Sequence, residues 1–354
     1  MTFVGQPYEV GPIRPPSEAA SLLVRATRNC PWNKCEFCPT YKGTRFERRP
    51  LEEILRDIDR AAEFHGDIYR TAFIQDANSL VMKTGDLVQV LSRLKEKFPS
   101  VQRVTSYARA RTAARKSVAE LRELHEAGLS RLHIGLESGY DPLLEYMKKG
   151  VTSDLVVNGG KKVVESGISL SLYVVLGLGG RLRLEDEETW RNHAVHTARV
   201  LNDVDPDYIR VRTLTIRQGM PLHEKLENGE FEESSDAEKV REEQLLIQNL
   251  DVTSYFASDH STNVLMDVRG QLPEDKASML SVMDQYLGLS QDEQVNFRLG
   301  TLFRHFGYEP NYGSFCDFLV PASREAIAAV IEDLEEEQPG RSRQLVAELS
   351  RMLV

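Results

Sequence analysis

Three of the four cysteines in this 354-residue chain, Cys30, Cys35 and Cys38, fall in the stretch Asn29-Cys30-Pro31-Trp32-Asn33-Lys34-Cys35-Glu36-Phe37-Cys38-Pro39. Thiolates are soft metal ligands, and three on one short loop with no fourth nearby describe a metal centre with one coordination position open. A structural zinc site is normally closed by four protein ligands, whereas an iron–sulfur cubane held by three cysteines leaves one iron free for a substrate or cofactor. Two plainer readings stand beside the cluster: a zinc clasp completed by a distant histidine such as His65, and cysteines that pack near a loop without metal. Trp32 and Phe37 read as apolar cover that limits solvent access to such a centre, not as ligands.

The spacing is C-x4-C-x2-C, with an aromatic residue, Phe37, directly before the last cysteine. It resembles the cluster motif of radical S-adenosylmethionine (SAM) enzymes, whose usual triad is C-x3-C-x2-C with an aromatic residue in that place; the first gap here is longer by one. The resemblance implies a [4Fe–4S] cluster and SAM as cofactors, with the amino and carboxylate groups of SAM chelating the open iron. It further implies that the reduced cluster passes one electron to SAM, giving methionine and a 5′-deoxyadenosyl radical that abstracts hydrogen from a substrate. An external one-electron reductant such as flavodoxin or ferredoxin is the partner this chemistry needs.

A loop of this kind must be held by a scaffold. From residue 21 to 213 short β-branched or apolar runs alternate with longer amphipathic segments, the pattern of βα units that build a parallel sheet. The strands are expected at 21–26, 69–75, 101–106, 131–136, 168–176 and 208–213, and the helices at 51–64, 84–97, 117–127, 153–166 and 185–201. Gly128 and Gly167 sit just past helix ends, where glycine closes a helix in the left-handed conformation. The expected fold class is α/β: a partial (β/α)6 TIM-like barrel, as the resemblance implies, with a mostly helical C-terminal extension. The division is a 1–20 N-terminal extension, a 21–219 barrel and a 220–354 helical region covering it. Within that last region Pro273 suits a helix start, and 323–353 reads as one or two helices broken at Pro339-Gly340.

In barrels, function collects on loops at the carboxyl ends of the strands, and each strand end here can be matched to a polar group of SAM. Gln75-Asp76 ends the second strand, where the family carries a Gly-Gly-Glu-type motif; the resemblance implies Asp76 as acceptor for the cofactor's amino group, a turn-forming Asp being the alternative. The third strand leads into Tyr107 and Arg109, the latter able to pair with the methionyl carboxylate. The fourth ends in Gly135-Leu136-Glu137-Ser138-Gly139, which resembles the family's ribose and methionyl contact, so Glu137 and Ser138 are the expected partners. Gly177, after the fifth strand, lets the backbone approach the adenine. Arg210 and Arg212 alternate onto one face of the sixth strand, placed for cofactor or substrate carboxylates or for salt bridges to Asp205 or Asp207.

Beyond the barrel, His260 is a candidate for proton transfer near neutral pH, with a structural histidine tied to Asp259 as the other reading. Cys316, beside Phe315 and Phe318, reads as a buried thiol. The basic run from Arg103 to Lys116 reads as a solvated face or an anion-binding rim. With 41% hydrophobic and 28% charged residues, the composition is that of a soluble globular protein. No apolar stretch approaches the roughly 20 residues of a membrane span and no signal peptide opens the chain, so a cytoplasmic location without membrane contact is expected. A net charge of −10 disfavours broad nucleic-acid binding. The expected function is a radical SAM enzyme, an oxidoreductase or rearrangement catalyst acting on a small molecule. RNA modification by the same chemistry and a zinc-stabilised, non-catalytic binding protein are the alternatives.

Overall fold

The computed structural model describes residues 6–185 and 187–353; the first five residues of the expected extension and position 186 of the expected 185–201 helix lie outside them. Two compact units emerge. The first holds the described residues through Tyr173 together with Asp203–Tyr208, and the second holds Val174–Asn202 and the residues from Ile209 onward. This division runs through a strand and does not coincide with position 220.

In the first unit, strands β1 (Leu22–Arg25), β2 (Thr27–Arg28), β3 (Glu47–Arg48), β4 (Thr71–Gln75), β5 (Arg103–Ala108), β6 (Leu129–Glu137) and the start of β7 (Ser169–Leu176) alternate with helices. These are α1 (Leu51–His65), α2 (Thr84–Lys97), α3 (Ala110–Arg115), α4 (Val118–Ala127), α5 (Asp141–Tyr146) and α6 (Ser153–Glu165). β1, β4, β5 and β6 pair in parallel, Leu22 opposite Ala72, Thr71 opposite Arg103 and Tyr107 opposite His133, and β7 follows in the sheet order. The fold class is α/β, the βα units of a partial TIM-like barrel. A parallel sheet faced by helices has no solvent side, and accordingly Ala72 to Gln75 of β4 are all buried. α1 turns Ile54, Asp57, Ile58 and Ala61 inward at spacings of three and four. α4 opens on a capping box of Ser117 and Glu120 and closes on Gly128 at φ 118°.

The residues before β1 are pinned to this unit. Glu18, fully buried, accepts from Ser21 at 2.6 Å and from Arg103 at 3.2 Å, and lies 3.7 Å from His133 Nε2. His133 in turn belongs to an aromatic group with Phe73, Tyr107 and Tyr173.

The second unit contains the end of β7, β8 (Arg183–Leu184), β9 (Glu187–Glu188), most of α7 (Thr189–Val204) and β10 (Tyr208–Thr213). It continues with α8 (Pro221–Glu227), α9 (Asp236–Gln248), β11 (Tyr255–Ala257), β12 (Arg269–Gln271), α10 (Lys276–Leu287), α11 (Gln291–Phe306), α12 (Phe315–Phe318), α13 (Pro321–Glu337) and α14 (Arg341–Met352). Its helical core is built around Phe297, whose ring meets Tyr286, Tyr312, Phe315 and Phe318.

Three local expectations are corrected. The segment read as the first turn of the 185–201 helix is instead the β8–β9 hairpin, with Arg183 opposite Glu188; an opposed charge pair favours the ladder, and α7 begins at Thr189, whose hydroxyl accepts from the Leu184 amide. Pro273 does not open a helix: Asp275 Oδ2 serves the Gln271 amide at 2.8 Å, and α10 starts only at Lys276. The basic run is not a solvated face, since Lys116 is buried and donates to Thr84, while Arg103 and Arg111 are held by Glu18 and the Gly150 carbonyl.

Candidate functional site

The cysteine loop leaves the sheet through β2 and returns through β3, whose antiparallel pairing clasps its base. Asn29 and Asn33 take left-handed backbone conformations at φ 68° and 49°, a region asparagine tolerates better than most residues because its amide bonds locally. Both amides do so: Asn29 donates to the Arg45 carbonyl at 2.6 Å and Asn33 to the Tyr41 carbonyl. Lys42 crosses the loop to the carbonyls of Asn33 and Cys35 at 3.2 and 2.8 Å. The Trp32 indole donates to Lys148 at 2.6 Å, which fastens the loop to the segment after α5.

Glu137, the last residue of β6, also stands at a left-handed φ of 63°. Its carboxylate meets Lys149 Nζ at 2.6 Å. Gly135 makes room for this pair: a Cβ there would fall 2.0 Å from Glu137 Oε1. Lys149 and Arg109 are the cations whose charge acts on the Cys35 thiol. Burial pushes the Cys35 thiol up, the Cys38 thiol and Glu137 add to this, and Lys149 and Arg109 oppose it. Burial lowers Arg109, against the pull of Cys30 and Cys35. Burial also works against the Lys149 ammonium, but Glu137 and the Cys35 thiol together outweigh this and its pKa is raised. The Arg109 guanidinium donates to the Lys149 carbonyl at 3.0 Å and lies over the Trp32 ring at 5.3 Å.

Three half-buried thiols beside two half-buried cations suit a centre whose ligands carry negative charge, so the donor set fits a cluster held by Cys30, Cys35 and Cys38. Among the described residues, no three His, Cys, Asp or Glu side chains gather into a site for a single metal ion. His65, the distant ligand of the zinc reading, shares a hydrogen bond with the Tyr8 hydroxyl at 2.9 Å.

The other strand-end residues divide between the units. In the first, Gln75 and Asp76 are both fully buried and engaged by the protein itself. Gln75 accepts from the Gly11 amide at 2.8 Å and donates to the Ile13 carbonyl at 2.8 Å. Asp76 Oδ2 accepts from Arg25 at 2.7 Å and from the Asn29 amide at 3.1 Å, while its Oδ1 accepts from the Tyr41 hydroxyl at 2.6 Å. Asp76 thus anchors both ends of the cysteine loop. Ser138 is buried, its hydroxyl accepting from the Tyr140 amide at 3.0 Å, and Tyr107 packs edge-on to Phe73 at 5.0 Å.

In the second unit, the Gly177 amide donates to Glu242 at 2.8 Å, with φ 70° at Gly177. Arg210 and Arg212 face Asp259 at 3.5 and 3.6 Å; in the first unit Asp207 takes the Leu170 amide. His260 is corrected on two counts. It bonds Thr262 at 2.8 Å instead of Asp259, and burial, joined by Arg212, His305 and Arg217, pushes it down to about 4, so it is neutral at neutral pH. Cys316 is exposed, not buried: Phe315 and Phe318 share the inward face of α12, which turns the residue between them outward.

Sequence spacing missed Lys149, Tyr41 and Arg25. Lys149 follows α5 in a Lys-Lys-Gly sequence with the look of an ordinary helix end, and only the turn at Glu137 brings its ammonium to the loop.

Residues 24–189 match the family model described as the Radical SAM superfamily. The chain is similar to tRNA uridine(34) acetyltransferases of Methanocaldococcus jannaschii, 21% identical over 34% of this chain and 21% of that protein, and of Methanocaldococcus infernus, 20% identical over 65% and 49%. Among solved structures it is similar to the radical S-adenosylmethionine methyltransferase TsrM from Kitasatospora setae, at 17% identity and a TM-score of 0.46, covering 59% of this chain and 39% of that one. The chain spans about half or less of the length of these curated relatives. The matched segment, just under half of the chain, holds the whole cysteine loop, and residues 24–189 are a radical SAM domain, the domain of enzymes that work with a [4Fe–4S] cluster and S-adenosylmethionine.

Proposed function

We propose that the chain cleaves SAM reductively and acts on a small-molecule substrate by hydrogen abstraction. The observation that carries this reading is that Lys149, paired with Glu137, and Arg109 act by charge on the Cys35 thiol of the loop, with Arg109 also meeting Cys30. When bound, the cluster and SAM supply one-electron cleavage of a sulfur–carbon bond, giving methionine and a 5′-deoxyadenosyl radical. The chain's own residues do the rest. Cys30, Cys35 and Cys38 ligate; Lys149 and Arg109 hold the thiolates and the cofactor carboxylate by charge. Glu137 and Ser138 accept from the ribose hydroxyls, and Trp32 and Phe37 keep water from the loop. Asp76, Gln75 and Tyr107 serve the cofactor indirectly, by holding the loop and the strand ends in place. Arg210 and Arg212 are offered to substrate carboxylates, with neutral His260 as an acceptor.

Electrons come from a carrier such as flavodoxin or ferredoxin, and the setting is the cytoplasm; no helix among the described residues is long and apolar enough to cross a membrane. The test is anaerobic reconstitution with iron analysis, electron paramagnetic resonance with and without SAM, and chromatography for 5′-deoxyadenosine. Cys35→Ala is expected to abolish 5′-deoxyadenosine formation; unchanged turnover in that variant, or a colourless zinc protein indifferent to SAM, overturns the reading.

RNA modification is a second reading, favoured by the two relatives named as tRNA uridine(34) acetyltransferases and opposed by the net charge of −10. Tight tRNA binding that weakens steeply with salt would establish it over the first.

A further inference from the structure

Within the second unit, the segment that follows the carboxyl end of β10, Thr213 to Ile216, lines a cavity of about 210 Å³. Its other walls come from α9 and the three residues before it, Thr262, α11 and α14. Four cations, Lys239, Arg298, Arg343 and Arg351, face two carboxylates, Glu233 and Asp236. We propose that this cavity binds a small polyanion, a molecule bearing two or more carboxylate or phosphate groups.

Arg298 is the centre of the argument. Its residue is 4% exposed, yet two of its nitrogens are directed to neutral acceptors, the carbonyls of Asn263 at 3.1 Å and Thr262 at 3.5 Å. Among the described residues its one ion-pair partner is Asp236, at 3.3 Å from Nε, and that carboxylate is shared with Lys239 at 3.5 Å. One carboxylate between two cations leaves a surplus positive charge in a poorly hydrated place, which costs free energy unless an anion completes it. Asp236 stays ionised: burial acts to raise it, but Arg298 and Lys239 hold it below the usual carboxylate range. It therefore keeps its single negative charge, which is all it can set against the two cations. Arg343 is matched by Asp292 at 3.3 Å on the exposed rim.

A guanidinium fork beside an ammonium and the hydroxyl of Thr215 is a donor set for carboxylate or phosphate oxygens. The volume lies below the roughly 300–1,000 Å³ of drug-sized pockets, so the ligand is of metabolite size, not a polymer. Calling this ligand the substrate rests on the radical SAM reading, because strand carboxyl ends are where barrel enzymes place their substrates; the binding itself does not.

The test is isothermal titration calorimetry of the cluster-reconstituted protein with two probes, citrate for carboxylates and pyrophosphate for phosphates. Saturable binding of at least one is expected, and whichever binds more tightly names the source of the charge. Lys239→Gln and Arg351→Gln, at positions less buried than Arg298, are each expected to weaken it by about fivefold or more. The Arg93→Gln variant, which alters an exposed pair with Asp59 in the other unit, is the control for a general charge effect. Arg298→Gln is the stronger variant but removes a buried charge, so its result is read only after its thermal melt shows a folded protein. No saturable heat with either anion, or affinities untouched by both Lys239→Gln and Arg351→Gln, overturns the proposal. Calorimetry reads binding without turnover, so absent heat and absent 5′-deoxyadenosine are separate failures, the first of this site and the second of the radical reading.

Discussion

Two charged side chains show how little of the site's electrostatics is carried by residue type alone. Lys149 and Glu137 are 14% and 13% exposed and 2.6 Å apart. Removing one partner of such a pair leaves the other desolvated and unmatched, which costs about 3–5 kcal/mol when burial is complete. Lys149→Met is therefore expected to lose about 3 kcal/mol in urea denaturation, and the Lys149→Met/Glu137→Gln double variant to recover part of it. Equal losses in single and double variants would show that the pair does not couple. His260 makes the complementary point. Its folded pKa, about 4, lies below its ordinary value of 6.5, so the folded state binds fewer protons than the unfolded one between those values. Stability from this group is present above pH 6.5 and falls as pH drops toward 4, by at most about 3 kcal/mol. His260→Gln is expected to flatten that slope; denaturation midpoints measured across the window that stay parallel to those of the unaltered protein would contradict it.

At the scale of elements, the cysteine loop is an appendage whose shape is set by what it touches. Its indole packs on Gly150, where a Cβ would lie 2.3 Å from the Trp32 ring at a backbone φ of 71°. Gly150→Ala meets both a left-handed backbone and a collision, together about 2–4 kcal/mol. Displacement of the ring is expected to shift tryptophan fluorescence, which only Trp190 otherwise contributes to, and to lower iron content after reconstitution. Unaltered emission with full iron loading would show that the contact does not hold the loop. The six principal strands were legible because parallel strands are short apolar runs between amphipathic helices, and α2 spans the expected 84–97. The β8–β9 hairpin was not, because acidic residues before a helical pattern look like a favoured helix start and the cross-strand partner is not visible in a local window.

For the whole molecule, cofactor binding should appear as stability. A ligand that binds only the folded protein at about a hundred times its Kd adds about 2.7 kcal/mol. SAM is expected to raise the melting temperature of the cluster-loaded protein and to leave Cys35→Ala unmoved; a shift of equal size in both would mean that SAM binds without the cluster. With two compact units, more than one unfolding transition is to be followed separately. What the sequence determined by itself was local: the cysteine spacing, the βα rhythm, the helix caps, and through them the radical SAM domain. Tertiary structure alone decided that Asp76 is an anchor of the loop, that Lys149 reaches Glu137, that Arg210 and Arg212 face Asp259, and that Arg298 stands buried with half a counterion. The reason is physical. Spacing along the chain records which side chains share a turn or a face, whereas the charge state and partners of a buried group depend on residues brought beside it from tens of positions away.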